Sequence, residues 1–413
     1  MTTTDPASID PASIDPASTD PASTDWISVA RTVAADLAKD AAERDKANKP
    51  PFEEADRLRE AGLLTLLIPS ERGGGGADWR TAYAVIREIA AGDGSIGQLI
   101  GYHYLLSWNA RFFGGPAVVE RLDRAAAEGR WLWGGAFNPR DPDVVLTPEP
   151  GGHGFRLDGR KSFATGARVA DRLVVGATRS DSGEPLVVFV DPAHPGVVRN
   201  DDWDNFGQRL SASGSVEFRS VPVAADDVIG SLSQDDGVLS PFATLVTPAI
   251  QLVFVHFYLG IAEGALAAAA DYTRSTTRPW LLSGVESATQ DPYVLATYGE
   301  LAVAARATRT LADHAAEAVQ QGLDRGHDLT EHERGEIAAT VAAAKVQSTK
   351  AALDITARIL ELTGARSTAS AYGFDRFWRN ARTHTLHDPV AYKLREVGDH
   401  FLNGAHPPFT LYT

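Results

Sequence analysis

The chain has 413 residues, 44% of them hydrophobic, enough to bury a large core in two or three packed layers or domains. A formal charge of −15 and a pI near 5.2 argue against a nucleic-acid partner and against docking on anionic lipid, because both need a basic surface. Zero cysteines exclude disulfides, thiolate catalysis and cysteine-ligated metal, which leaves small-molecule chemistry by other side chains.

Residues 5–25 read DPASIDPASIDPASTDPASTD, a repeat whose prolines block helix and whose small polar residues bury nothing, so residues 1–25 are expected to be a disordered tail. No basic-then-apolar leader is present, and no unbroken run of roughly eighteen apolar residues occurs, which predicts a cytoplasmic protein without a membrane span. From Trp26 to Arg130 the pattern is helical. Ile27, Val29, Val33, Leu37 and Ala41 form one apolar stripe, Arg80 to Ala91 carries another, and Ile96 to Phe113 is almost wholly apolar, as a core helix is.

The glycines at 73–76 follow no strand and read as a flexible connection. At Trp131 the character changes. The runs DRLVVGAT, PLVVFVD and GSVEFRSVPV, punctuated by Gly, Pro and Asp, predict antiparallel strands over a β domain at 131–232. Within GFRLDGRKS (154–162), Asp158-Gly159 reads as a hairpin turn. Long helices return in 233–413: Val246 to Thr276, Thr289 to Gln320, and a third opened by a capping box of Thr330 with Glu333 and closed at Gly364. The three blocks are therefore helices at 26–130, strands at 131–232 and helices at 233–413, an α+β architecture.

No GxGxxG stretch exists, so a Rossmann nicotinamide site is not expected and redox chemistry would need another cofactor. His384 and His387 have the spacing of metal ligands, yet no further ligand accompanies them, and no metal is expected there. In and just before RFWRNARTHTLHDP (376–389), Phe374, Phe377, Trp378 and Ala381 mark an apolar face, while Arg376, Arg379 and Arg382 share a solvated or salt-bridged one. Pro389 disfavours helix at Asp388, so His387 and Asp388 stand at a break between helices, where side chains can enter a cleft.

Together these segments resemble the acyl-CoA dehydrogenase superfamily, in its flavin-dependent monooxygenase branch. LREAGLLTLLIPSERGGGGADW (58–79), REIAAGDGSIG with GYHY, and GFRLDGRKSFATGA carry the superfamily's character. YLGIAEGALAAAADYTRSTTRPW (258–280) and YGFDRFWRNARTHTLHDPVAYK (372–393) carry that of the branch. The resemblance implies an N-terminal helical domain, a central antiparallel β-barrel domain and a C-terminal four-helix bundle, assembled as a homotetramer with flavin between barrel and bundle. It implies that Arg278 binds the flavin phosphate, with Ala365 and Arg366 as further contacts, one of them supplied by a neighbouring subunit. Lys161 to Thr165, including Phe163, would edge the isoalloxazine, with the Thr165 hydroxyl near N5. Tyr102 and the segment from Gly135, Ala136, Phe137 and Asn138 to Arg140 would complete the wall.

Where dehydrogenase members carry a catalytic glutamate, this chain has His387 and Asp388 in TLHDP. That departure implies a monooxygenase that takes reduced FMN from a separate NAD(P)H:flavin reductase, forms a C4a-hydroperoxide with O₂ and oxygenates a small apolar heteroaromatic, sulfur or nitrogen compound. His387 would steady the peroxide or shuttle its proton. Trp131, Trp133, Phe137, Phe163 and Trp203 are candidates to roof the flavin and keep water out. The alternatives are an FAD-dependent acyl-CoA dehydrogenase using Asp388 as base, and a flavin carrier without turnover.

Overall fold

A computed structural model describes residues 24–152, 154–233, 239–410 and 412. Most of the DPAS repeat lies outside the described residues, but its last aspartate, Asp25, is the N-cap of the first helix and accepts a hydrogen bond from the Ser28 amide at 3.1 Å.

Six helices come first: α1 (Trp26–Ala38), α2 (Ala41–Ala47), α3 (Phe52–Glu60), α4 (Trp79–Gly92), α5 (Gly94–Phe113) and α6 (Pro116–Gly129). Aspartate opens several of them, because a carboxylate satisfies amides that the first turn leaves unpaired; Asp78 does so for α4 and Asp93 for α5. Eight strands follow: β1 (Trp133–Ala136), β2 (Val145–Pro148), β3 (Gly154–Lys161), β4 (Arg172–Arg179), β5 (Pro185–Val190), β6 (Val197–Arg199), β7 (Val216–Ala224) and β8 (Val228–Ser231). The chain ends in α7 (Pro241–Thr244), α8 (Val246–Ser275), α9 (Pro292–Arg325), α10 (Glu331–Thr363), α11 (Asp375–His384) and α12 (Val390–Asn403). The capping box read at Thr330 and Glu333 opens α10.

The two helical blocks share one core. Tyr83 and Ile86 of α4, Ile100 of α5 and Leu252 and Phe257 of α8 are all fully buried in the same apolar cluster. The segment Pro241–Ser275 is long and apolar enough to cross a membrane, but it is the centre of this core, with 89% of its most apolar window buried. The strands have a separate core around Leu157, Leu173, Val188 and Val216.

Strand order is β6-β7-β3-β2-β4-β5-β8, with β1 also on β4. The sheet is mixed rather than purely antiparallel. β1 runs parallel to β4 from Trp133 opposite Arg172, and β2 continues in the same direction along β4, with Val145 opposite Thr178. One pass of chain thus occupies successive lengths of a single strand edge, which fixes both pairings as parallel.

Two local expectations change. Asp158-Gly159 is a bulge inside β3, where the register on β7 shifts and Gly159 adopts φ 139°; the positive φ that suits a hairpin suits a bulge equally. The glycines at 73–76 are tied down by backbone bonds from Gly75 N to Thr65 O (2.9 Å) and Gly76 N to Ile68 O (2.8 Å), so they form a fixed turn and not a loose one.

Candidate active site

One face of α5 forms the floor of the site. Gln98, Tyr102 and Leu106 recur every fourth residue and so lie above one another. Gln98 Nε2 donates to Thr165 Oγ1 of the β domain (3.3 Å), Tyr102 meets His384 Nε2 at the end of α11 (3.1 Å), and Leu106 fills the space over Gly135. A Cβ at Gly135 would come within 2.8 Å of the Leu106 side chain, so glycine is what lets β1 lie against α5 here.

His384 is buried and doubly held. Tyr258 of α8 contacts its Nδ1 at 2.8 Å and its carbonyl oxygen at 3.1 Å. The arrangement that satisfies every group has Nδ1–H donating to the Tyr258 oxygen, the Tyr258 hydroxyl donating to the carbonyl, and the Tyr102 hydroxyl donating to Nε2. Burial, with His387 and Lys345 nearby, holds the His384 pKa well below the ordinary histidine value, so the ring is neutral. The phenols of Tyr102 and Tyr258 are pushed up by burial and by the Asp388 charge, and they remain protonated donors.

His387 follows on the turn before Pro389. Its Nδ1 is 3.2 Å from Asp388 Oδ1, and the same oxygen accepts from Lys345 Nζ at 3.0 Å. Lys345, on α10, also donates to Gln251 of α8 (2.8 Å) and lies 4.4 Å from the centre of the Phe254 ring. Burial pulls Lys345 down to about 8, while the Asp388 charge opposes the fall. Burial would raise the Asp388 carboxyl, but the Lys345 ammonium and the His387 hydrogen bond outweigh it and hold the group well below the carboxylate range. Asp388 is therefore an anchored anion. It takes the proton of His387 Nδ1–H in a hydrogen bond and leaves Nε2 as the nitrogen available to a ligand.

Across the cleft, Thr165 Oγ1 accepts from Gln98 and from Ser213 Oγ (3.0 Å), and the Thr165 carbonyl accepts the Gly135 amide at 3.0 Å. Lys161 Nζ donates to the Asn138 carbonyl (3.0 Å), while Asn138 Nδ2 donates to Ser162 Oγ (3.0 Å). Phe163 takes a left-handed backbone (φ 53°) and leaves 63% of its surface exposed, its ring edge-on to Trp203. The β domain is locked to α11 by Asn380, which accepts the Gln208 amide at 2.7 Å and, through its carbonyl, Gln208 Nε2 at 3.1 Å.

The fold thus joins Tyr102 to His384, Gly135 to Leu106 and Thr165 to Gln98 where α5 meets the β domain and α11, with His387 and Asp388 just beyond α11; Asn138, Lys161 and Phe163 make their contacts within the β domain, and the Ala136 side chain lies in its core. Phe137 packs on Gly176, Trp133 on Phe189, and Trp131 under the Arg172 guanidinium, in an apolar cluster that joins the sheet to Leu106 and Ala110 of α5 and to Leu122 and Ala126 of α6. Arg278, Ala365 and Arg366 are exposed elsewhere in the chain. Arg366 is within electrostatic reach of Tyr272, which lies about 21 Å along α8 from Tyr258 at roughly 1.5 Å per residue, and Arg278 follows the same helix end. Of the arginine face on α11, Arg379 is salt-bridged to Asp45 and Asp375 and bonds the Phe206 carbonyl, while Arg376 lies on the Phe377 ring and donates to the Gly373 carbonyl.

Lys345, Gln98, Tyr258 and Gln251 escaped the sequence reading. Gln98, Gln251 and Tyr258 are isolated polar residues within apolar helical runs, a signal available at the four-residue spacing of Gln98 and Tyr102, whereas Lys345 leads into the polar stretch Gln347 to Lys350.

Comparison with known proteins gives the family. Residues 27–130 match the acyl-CoA dehydrogenase N-terminal domain and 252–391 the acyl-CoA dehydrogenase C-terminal domain. Dibenzothiophene monooxygenase of Rhodococcus erythropolis is 42% identical, with 92% of this chain and 94% of that protein covered. A probable FMNH₂-dependent monooxygenase, SfnC of Pseudomonas putida, is 39% identical, with 94% and 97% covered. The crystal structure of TdsC from Paenibacillus sp. A11-2 with FMN and indole superposes with a TM-score of 0.90 at 42% identity, covering 94% of this chain and 99% of that one. The chain belongs to the acyl-CoA dehydrogenase family, in its flavin-dependent monooxygenase branch.

Proposed function

We propose that this protein is a two-component monooxygenase that receives reduced FMN from a separate NAD(P)H:flavin reductase and uses dioxygen to oxygenate a small, apolar, sulfur- or nitrogen-containing heteroaromatic. The carrying observation is the Lys345, Asp388, His387 series, which presents an imidazole with an accepting Nε2 beside an aromatic cleft. Relatives over nearly the whole chain act on dibenzothiophene or bind FMN with indole, which supports an apolar fused-ring substrate.

The residues present fit a flavin. Gln98 Oε1 is buried without a hydrogen-bond partner beside Thr165, whose hydroxyl already accepts twice and so has its proton left to donate. A ring edge that alternates donors and acceptors satisfies both. Phe163, with Trp203 edge-on behind it, supplies an apolar ring. Reduced FMN, when bound, supplies the electrons that activate dioxygen.

The chain's own residues do the rest. Thr165 orients the ring edge, and the aromatic wall excludes water. His387 holds or moves a proton at Nε2, and Asp388 and Lys345 keep its ring in one tautomer. Arg278 and Arg366 serve the phosphate in a homotetramer, where a neighbouring subunit brings its exposed pair to this cleft; their distance from His387 within one chain supports that division. The reaction belongs in the cytoplasm, where a reductase has its nicotinamide.

An FAD-dependent dehydrogenase using Asp388 as base is disfavoured, because a carboxylate held by Lys345 and His387 well below its usual range is a poor proton acceptor. The test is turnover of sulfides, indoles and amines with a flavin reductase present. Oxygenated product that falls at least about 100-fold in His387→Ala supports the assignment. Unchanged product, or bleaching of bound flavin by acyl-CoA without dioxygen, overturns it.

A further inference from the structure

Away from the cleft, three histidines and a glutamate meet where the C-terminal tail crosses α10. His332 and Glu336 are one helical turn apart on the same face of α10. His406, beyond α12, places Nε2 2.8 Å from Glu336 Oε1, and His400, near the end of α12, places Nε2 3.7 Å from Glu336 Oε2. The His406 ring lies 5.0 Å from that of His332 and 5.6 Å from that of His400. Ligand atoms of His332, Glu336 and His406 all lie within 4.8 Å of one another.

Gly335 makes this approach possible. A Cβ there would stand 2.3 Å from Cγ of the His406 ring, so the imidazole lies directly on the α10 backbone and any side chain would expel it. Glycine in a helix sacrifices roughly 1 kcal/mol against alanine, and seating His406 is the visible return.

We propose that His332, Glu336 and His406, with His400 as fourth ligand, form a divalent transition-metal site of the zinc class that fastens the C-terminal tail. Imidazoles with one carboxylate suit zinc and its neighbours, whereas calcium and magnesium take oxygen ligands. Tetrahedral zinc with bonds of about 2.0–2.1 Å needs its ligand atoms roughly 3.3 Å apart, a contraction that half-exposed side chains make by rotating. From this anchor the tail runs to the active site: Arg334 donates to the Pro407 carbonyl (3.0 Å), Thr247 to that of Thr410 (3.1 Å), and the Tyr412 ring comes 6.1 Å from the His387 ring. A metal at His406 therefore secures the strap whose far end closes on His387. The site stands independently of the flavin chemistry.

Calorimetric titration of the full chain with zinc chloride tests this, alongside His332→Ala, Glu336→Gln, His406→Ala and Gly335→Ala. The expected result is one zinc per chain, binding weakened at least tenfold in each variant, a higher Tm with zinc and slower proteolysis of the tail. Gly335→Ala discriminates best, since it keeps every ligand atom and removes only the seat of His406. Absence of stoichiometric binding at micromolar zinc, or wild-type affinity in both His406→Ala and Gly335→Ala, overturns the proposal.

Discussion

The imidazoles of His384 and His387 lie face to face, with ring centres 5.3 Å apart and planes 3° from parallel. The first ring is clamped between two tyrosines and the second is tethered to Asp388, so the orientation of the exposed ring is set from below by a buried neutral one.

Removing one clamp is expected to reach catalysis through that stack. Tyr258→Phe leaves the Nδ1–H of His384 buried without an acceptor, at about 1–3 kcal/mol, and frees the ring to tilt. Urea denaturation should show the loss of stability, and kcat should fall about tenfold with KM little changed. A destabilised variant with full kcat would show that the stack does not position His387.

The Lys345 and Asp388 charges are buried together, and removing either strands the other. Lys345→Met and Asp388→Asn are each predicted to cost about 3–5 kcal/mol. The double variant should lose clearly less than the sum, because neither buried charge is then left alone. Additive losses in denaturation would contradict the coupling.

Stability should fall on mild acidification. His103 donates Nε2–H to the Leu64 carbonyl and accepts the Trp133 amide at Nδ1, and burial lowers its pKa from 6.5 to about 4. The unfolded chain therefore takes a proton first, so this contribution is level above pH 6.5 and is lost as pH falls toward 4, by about 3 kcal/mol for His103. His256 and His384 act in the same direction. Asp388 is displaced in the same, downward direction from a carboxylate's 3.8, so its stabilisation is also lost on acidification, but only once the pH falls below that value. Urea midpoints measured against pH should show the decline, and His103→Gln should flatten it.

Asn380 is the rivet between α11 and the β domain. Asn380→Ala strands the Gln208 amide and should destabilise by about 1–3 kcal/mol. Faster hydrogen exchange across 200–214 is the specific sign, and exchange unchanged there would deny the link.

Much of this was legible in the sequence for identifiable reasons. Helices announced themselves by apolar spacing and, for α10, by the capping box of Thr330 with Glu333, and the break at Pro389 set His387 and Asp388 between α11 and α12. The parallel pairings of β1 and β2 were not legible, since alternation reports which face is buried but not the direction of a neighbour. Asp158-Gly159 misled because turn and bulge require the same backbone angle. Lys345 was hidden in an alanine-rich run; its partner Asp388 is distant in sequence, and only tertiary packing shows that the pair closes. Arg278 and Arg366 came from family likeness, and the single chain leaves them apart from the cleft.

The most direct test of the flavin claim is to mix the protein anaerobically with FMNH₂ and an apolar sulfide or indole, then admit isotopically labelled dioxygen. One labelled oxygen atom in the product, absent in His387→Ala, is the predicted result. Unlabelled product, or release of hydrogen peroxide alone across the substrate panel, would contradict it.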